Sequence, residues 1–117
     1  MIRGTTPLHT FVFPKDINEN YTNILITYRQ NDKIIMEKEL SDLNIFENIA
    51  KLRITQDESL SFDDGRGYVQ LKVFTVDKHI LGSAAFSFPV TSSLTKSKFD
   101  ENGNVIKPTD PVWECPH

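Results

Sequence analysis

The stretch Tyr-Val-Gln-Leu-Lys-Val-Phe-Thr-Val at residues 68–76 decides the fold class of this chain. β-Branched and aromatic residues dominate it, which favours a strand over a helix. Successive side chains of a strand point to opposite faces, so Val69, Leu71, Val73 and Thr75 share one face, which we expect to point into the core. The other face carries Tyr68, Gln70, Lys72, Phe74 and Val76.

Short runs rich in β-branched and aromatic residues recur along the first ninety positions. The segment Gln30-Asn31-Asp32 between two of them predicts a β-hairpin, and Thr55-Gln56-Asp57-Glu58 has the T-x-x-E form of a capping box, which predicts one helical turn. About seven strands predict an immunoglobulin-like antiparallel β-sandwich, with an up-and-down barrel as the structural alternative. The predicted strands are residues 8–13, 22–30, 33–38, 43–46, 49–54, 68–76 and 80–90.

Two prolines and a change in composition mark where regular pairing is expected to end. Pro14 follows the first strand and identifies it as an edge strand, and Pro89 is expected to end the pairing of the last long one. After Val90 the chain becomes polar, so we place the sandwich at residues 1–90. Residues 91–117 are expected to form a linker, a small hairpin around Asn102-Gly103 and an extended Pro- and Trp-containing arm that adds little to the main core.

Composition narrows the classes of function. The chain has 117 residues, enough for one compact domain, and its 13 Lys and Arg against 16 Asp and Glu give a net charge of -3. That balance argues against nucleic-acid binding. Since there is neither an apolar run long enough to span a membrane nor an apolar signal segment in residues 1–10, no membrane association is expected. The single cysteine, Cys115, excludes an intramolecular disulfide and fits a reducing compartment.

No catalytic or cofactor-binding motif is found, so we expect a protein that is not an enzyme and that needs no cofactor or metal. His9, His79 and His117 are too dispersed to share one element and are interpreted as isolated surface or rim residues. Cys115 and His117 form a C-x-H pair, but a closed zinc site needs four ligands. Cys115 is therefore interpreted as an inert thiol.

With no catalytic motif present, the remaining class of function is contact with other proteins. An exposed edge strand can add a strand from a neighbour, and a large aromatic residue can anchor in a neighbour's groove. Packing within the chain is an equally good explanation of the edge strand. The candidate contact residues are Phe11, Phe13, Phe99, Val105, Ile106 and Trp113.

The opening Met-Ile-Arg-Gly-Thr-Thr-Pro-Leu-His-Thr-Phe, residues 1–11, resembles a family of small proteins found in tailed bacteriophages and prophages of Gram-positive and gut bacteria. Further similarity lies at residues 26–28, 31–33, 52–62 and 69–73. The resemblance covers about residues 1–90 and implies an Ig-like virion component of the kind used in baseplates, tail adaptors and capsid decorations. It implies no catalytic residues. The C-terminal hairpin and the Pro-Trp arm depart from the family pattern.

The expected function is that of a structural or adaptor protein in the tail, baseplate or capsid surface of a phage. Its partners would be other phage structural proteins, in several symmetric copies, after synthesis in the host cytoplasm. The alternative is a carbohydrate- or receptor-binding module that contacts a host-surface glycan through exposed aromatic residues. A small host-wall hydrolase is a third hypothesis, which would require a pocket with converging carboxylates or a metal.

Overall fold

The computed structural model describes residues 1–82, 85–92, 98–99, 102–103, 105–106 and 110–116. Two β-sheets pack against each other around a common core. The strands of the first sheet are β1 (Leu8–Val12), β4 (Asn44–Phe46), β5 (Ile49–Arg53) and β11 (Val112–Glu114). Those of the second sheet are β2 (Tyr21–Gln30), β3 (Lys33–Glu39), β6 (Gly65–Thr75), β7 (Ile80–Gly82) and β8 (Phe86–Val90).

The strand order confirms the immunoglobulin-like sandwich. The first sheet runs β11-β1-β5-β4 and the second runs β3-β2-β6, with both β7 and β8 beside β6. These orders correspond to the A-B-E-D and C′-C-F-G sheets of an immunoglobulin domain, with β11 in the place of strand A. The sheets contain nine strands, more than the seven predicted. Of the described strand pairs in the sandwich, only β1 and β11 run parallel.

The deciding stretch lies in β6 as its alternation predicts. Val69, Leu71 and Val73 are buried, and the residues between them are exposed. Ile24 and Ile26 of the neighbouring β2 point into the same core. Since the apolar set lies on one face of each strand, a shift of register by one residue would expose all of it, and the register is thereby fixed.

Short connections follow the predicted turn chemistry. The β2–β3 hairpin turns at Asn31 and Asp32, whose φ angles of 52° and 63° fit a type I′ turn. Helix α2 (Gln56–Leu60) carries the chain from one sheet to the other, and its capping box forms as predicted. The Thr55 hydroxyl accepts from the Glu58 amide at 3.2 Å and the Glu58 carboxylate accepts from the Thr55 amide at 2.9 Å. A second short helix, α1 (Ile17–Asn20), is capped by Asp16 and was not predicted.

Gly67 precedes the strand predicted at residues 68–76, but it lies inside β6, where an aromatic ring takes the space of a side chain. It pairs with Phe88 of β8, whose ring lies over the glycine. A Cβ atom at residue 67 would come within 2.6 Å of that ring. The absence of a side chain thus lets Phe88 turn inward to the core.

Two predictions about strand edges are wrong. β1 is not an edge strand, because β5 pairs with one side of it and β11 with the other. Pro89 does not end the last pairing, because it lies opposite Arg66 and the register continues to Val90. Proline is tolerated there because β8 has a partner, β6, on one side only among the described strands.

The last residues are more integral to the sandwich than an arm would be. The predicted hairpin is present as β9 (Lys98–Phe99) and β10 (Val105–Ile106), which pair antiparallel. Beyond it, however, β11 is a strand of the first sheet, Trp113 packs against the core and Cys115 is buried in it. The expectation that this segment adds little to the core is therefore wrong. The division of the chain at residue 90 stays a prediction.

We expect Trp113→Ala to lower the free energy of unfolding by about 2 kcal/mol, less than for a fully buried Trp because the ring is half-buried. Urea denaturation measures this difference. The matched control is Val112→Ala in the same strand, whose side chain is 64% exposed and whose truncation is expected to cost less than about 0.5 kcal/mol. Equal stability of the two variants would contradict the packing of Trp113 described above.

Candidate interaction surfaces

The structure separates the six predicted contact residues into three groups. Phe11 and Phe13 are buried in the core, so neither is available to a partner in this fold. The reason is that β1 is an inner strand whose alternate residues face the second sheet. Trp113 is half-buried. The side chains of the remaining three, Phe99, Val105 and Ile106, lie outside the part of the chain that the structure describes.

An aromatic cluster joins the two sheets, and Trp113 lies within it. Ring centroids of neighbouring members are 5.1 to 6.1 Å apart. Many of the contacts are tilted or edge-to-face, the arrangements that aromatic rings prefer. The Trp113 ring contacts residues of both sheets, including Phe11 of the first sheet and Phe86 of the second. The members of the aromatic cluster are His9, Phe11, Tyr28, Phe62, Phe86, Phe88 and Trp113.

His9 is the polar member of this cluster, and its interpretation as a surface residue is wrong. Its side chain is fully buried, and its Nδ1 lies 2.6 Å from the hydroxyl of Tyr28. Its Nε2 has no hydrogen-bond partner among the described residues. The pKa of His9 is lowered to about 4, mainly by burial and also by the positive charge of the Met1 amine, while Asp110 acts in the opposite direction. Burial likewise raises the pKa of Tyr28 well above its usual value. His9 and Tyr28 are therefore both neutral at pH 7.

Neither of the two buried groups with acid–base or nucleophilic potential is arranged for chemistry. His9 is enclosed by Tyr28, Phe88 and Trp113 and has no exposed surface to offer a substrate. Burial raises the pKa of the Cys115 thiol to about 12, so almost none of it is the reactive thiolate at neutral pH. His117, the other half of the C-x-H pair, lies outside the described residues. Among the residues that are described, no three of His, Cys, Asp or Glu come together as a metal site would require.

Residues 1–11, the N-terminal motif, help to stabilise the fold. Gly4 has a φ of +81°, and its amide donates to the Ser59 hydroxyl at 2.9 Å. The same hydroxyl donates to the carbonyl of Thr5 at 2.8 Å. A guanidinium nitrogen of Arg3 donates to the carbonyl of Leu60 at 3.1 Å. The motif thus fastens the first residues to helix α2.

An exposed apolar surface lies at one edge of the second sheet. We define the β7 edge patch as the exposed side chains of Phe74, Val76, Ile80 and Leu81. Ile80 is 73% exposed and lies opposite Phe74 on the outer face. β7 pairs with β6 on one side and is the last strand at this end of the described sheet order. An edge strand with apolar side chains is a template for contact with another protein.

A second surface, the Arg-Tyr groove, lies on the outer face of the same sheet near the β2–β3 turn. Arg29 lies directly opposite Tyr68 in the register of β2 and β6, and Tyr68 is 45% exposed. Arg66 lies two residues before Tyr68, and its guanidinium donates to the Ser87 hydroxyl at 3.0 Å. With Asp32 and neighbouring residues these side chains line a groove of about 490 Å³. The groove therefore offers an aromatic face between two cations.

A third exposed surface lies on the first sheet. Phe46 of β4 is 71% exposed and pairs with Ile49 of β5. β4 is the end strand of that sheet in the described order. Neither Phe46 nor Ile80 was predicted as a contact residue. Each lies in a short strand that pairs with a strand of alternating polarity, β5 or β6. The missing information was which short strands would lie at the edges, since that depends on pairing between distant segments.

No family model matches this chain, and no curated protein matches it. None of the helices in the described part of the chain has the length and apolar character needed to cross a membrane. The description of the surfaces therefore depends on the geometry of this chain alone.

The burial of His9 predicts a specific pH dependence of stability. A His has a pKa near 6.5 when unfolded, and in the fold it is about 4, so the unfolded chain takes up the proton first as pH falls. The free energy of unfolding is therefore expected to decrease by about 3 kcal/mol between pH 6.5 and pH 4 from this residue. Urea denaturation across this range measures it.

Two controls identify the residue responsible. His79→Gln, which changes an exposed histidine, should leave the pH dependence intact, whereas His9→Phe should flatten it between pH 6.5 and pH 4. If His9→Phe does not fold, NMR titration of the imidazole signals of the unmodified protein gives the pKa directly. A value for His9 near 6.5 would contradict the buried placement.

Proposed function

We propose that the protein is a structural or adaptor subunit of a tailed-phage particle that joins other virion proteins and catalyses no reaction. The observation that carries the proposal is the β7 edge patch, an apolar strand edge with no partner strand among the described residues. Monomeric proteins usually protect such edges with charged residues, prolines or covering loops. An edge that carries Ile80 and Leu81 instead is suited to permanent contact with a neighbour.

The resemblance of residues 1–11 to phage proteins is the reason for proposing that the neighbour is a virion protein. In this proposal the protein is made in the host cytoplasm and is incorporated into the virion in several symmetric copies, with other phage structural proteins as partners. Heterologous contact between an edge of one copy and a different surface of the next would build a ring if the rotation closes. Since the net charge is -3, nucleic acid is not among the proposed partners.

The interior supports a structural role in a second way. The two neutral polar side chains of the aromatic cluster bond with each other, through Nδ1 of His9 and the hydroxyl of Tyr28. Gln30 is also buried, and its amide bonds in both directions with the backbone of Asp63, at 2.6 and 2.7 Å. Buried polar groups of this kind hold loops in place. In this protein they connect the two sheets and the loop before β6.

Ile80→Lys is expected to reduce incorporation of the protein into phage particles at least tenfold without unfolding it, because a charge would have to be buried at the contact. The measurement is the amount of protein that co-sediments with purified particles. Ile34→Lys is the matched control, because Ile34 is 54% exposed in β3 at the opposite edge of the same sheet. Equal incorporation of Ile80→Lys and unmodified protein would overturn the assignment of the contact to the β7 edge.

The Arg-Tyr groove favours a second candidate function, the binding of a carbohydrate or receptor. Exposed aromatic rings stack on the apolar faces of sugars, and arginine donates hydrogen bonds to hydroxyl and carboxylate groups. Tyr68 with Arg29 and Arg66 provides these groups on one flat strand surface.

Binding to a glycan array tests this function. A glycan bound in the groove should lose at least tenfold in affinity on Tyr68→Ala, since the stacking face would be removed. Phe46→Ala, which removes an exposed ring from the other sheet, should leave binding unchanged. An array without binding, together with co-sedimentation of the protein with particles, would leave the structural role as the better explanation.

A further inference from the structure

Strand β11 completes the first sheet beside β1, and it reaches that place from the end of the chain. The Thr10 amide donates to the Pro111 carbonyl at 3.2 Å, and the Cys115 amide donates to the Val12 carbonyl at 2.7 Å. The side chains of Trp113 and Cys115 fill the space behind these bonds. These contacts are made to β1 and to the aromatic cluster. A β11 strand from another copy of the protein would make the same contacts.

The sequence before β11 is long enough to reach another copy. Thr91 is held beside Ile2 by a parallel bridge, and it is 20 residues before Pro111. A fully extended chain of 20 residues would span about 65 Å. The longest dimension of the molecule is 50 Å.

The reach is sufficient even if the β9–β10 hairpin stays paired. Lys98 and Ile106 are direct partners in that hairpin, so it adds little length. Residues 91–98 and 106–111 together would span at most about 40 Å. The two shorter dimensions of the molecule are 32 and 21 Å. A copy packed side by side therefore lies within reach.

Removal of β11 would leave a site that needs a strand. β1 would become an edge, with unpaired backbone groups and with the rings of His9 and Phe11 no longer covered by Trp113. β11 itself has only three residues, so few backbone hydrogen bonds have to break for it to leave its own sheet. The site beside β1 is thus closed by a short strand. β11 of the same copy and β11 of a neighbouring copy would close it in the same way.

We propose that copies of this protein exchange β11, so that the strand of one copy pairs with β1 of the next in the assembled form. The partner is a second copy of the chain, and the inference rests on the proposed assembly in several copies. Dilute protein keeps β11 in its own sheet because that strand has the highest effective concentration there. Neighbouring copies in a particle raise the local concentration of the other strands, and the exchange then links each copy to the next without a new type of contact.

Cysteine cross-linking of purified protein tests the exchange. Thr10 and Val112 are direct partners in the pairing of β1 with β11, and both alternate with inward-facing residues, so their side chains lie on the outer face. Adjacent strand positions fall within the Cα separations that a disulfide allows. One sample of chain carries Thr10→Cys and another carries Val112→Cys, each with Cys115→Ala. The two are mixed at high concentration, both as folded proteins and by refolding together, and are then oxidised with oxidised glutathione.

Exchange predicts a disulfide-linked heterodimer at least fivefold more abundant than in a control mixture of Thr10→Cys with Ile34→Cys. Ile34 is 54% exposed, lies in β3 of the other sheet and belongs to neither β1 nor the β7 edge patch, so it measures random oxidation. Heterodimer at the control level in both mixing procedures would overturn the exchange. If Cys115→Ala does not fold, Cys115→Val replaces it.

The outcome is independent of the proposed virion function. Absence of cross-linking, with normal co-sedimentation of the unmodified protein with particles, would reject the exchange and leave the structural role intact. Cross-linking in the purified protein, without co-sedimentation, would support the exchange and reject the role in the particle.

Discussion

The inward face of β1 is the constraint on which the rest of the structure depends. His9 and Phe11 on that face pack against Tyr28 and Phe88 of the second sheet and against Trp113 of β11. One strand therefore brings together both sheets and both ends of the chain. β1 can do this only as an inner strand, because its alternate residues must be covered on the core side while its backbone is paired on both edges. Once β1 is in place, β5 and β11 have their registers fixed, and the aromatic cluster has its centre.

A polar pair in the middle of this cluster restricts which packing is acceptable. The hydroxyl of Tyr28 bonds with Nδ1 of His9, which favours the packing of the two sheets that brings these atoms together. Nε2 of His9 has no partner among the described residues, and burial keeps the imidazole neutral at pH 7. A hydrophobic residue in place of His9 would avoid burying an unpaired nitrogen, but it would not favour one packing of the two sheets over another. The interior thus contributes specificity of packing, and the surfaces are left for contact with other molecules.

The sequence predicted the parts of the fold that depend on local pattern. The alternation in β6, the turn residues Asn31 and Asp32, and the capping box at Thr55 each depend on neighbouring residues, and each has the predicted structure. Edge positions were not predicted correctly, because they depend on pairing between segments far apart. Pro14 favoured an edge for β1, but β11 lies about a hundred residues later and nothing local indicates that it pairs there. The buried His9 was missed for the same reason, and so were the exposed apolar side chains of Phe46 and Ile80.

The two ends of the sandwich sheets differ in a way that explains why assembly is the better function to propose. Beside β1 the first sheet is closed by a strand from the C-terminal region, whose Trp113 side chain is inserted into the aromatic cluster. At β7 the second sheet ends in a three-residue strand whose side chains are exposed. If the apolar residues at β7 only served the stability of a monomer, they would be expected to turn inward or to be covered, as Trp113 of β11 is. Ile80 instead points outward beside Phe74, where its burial requires a partner. The same sheet also carries Tyr68 between two arginines, so a single outer surface combines an apolar edge with the residues that dominate protein contacts.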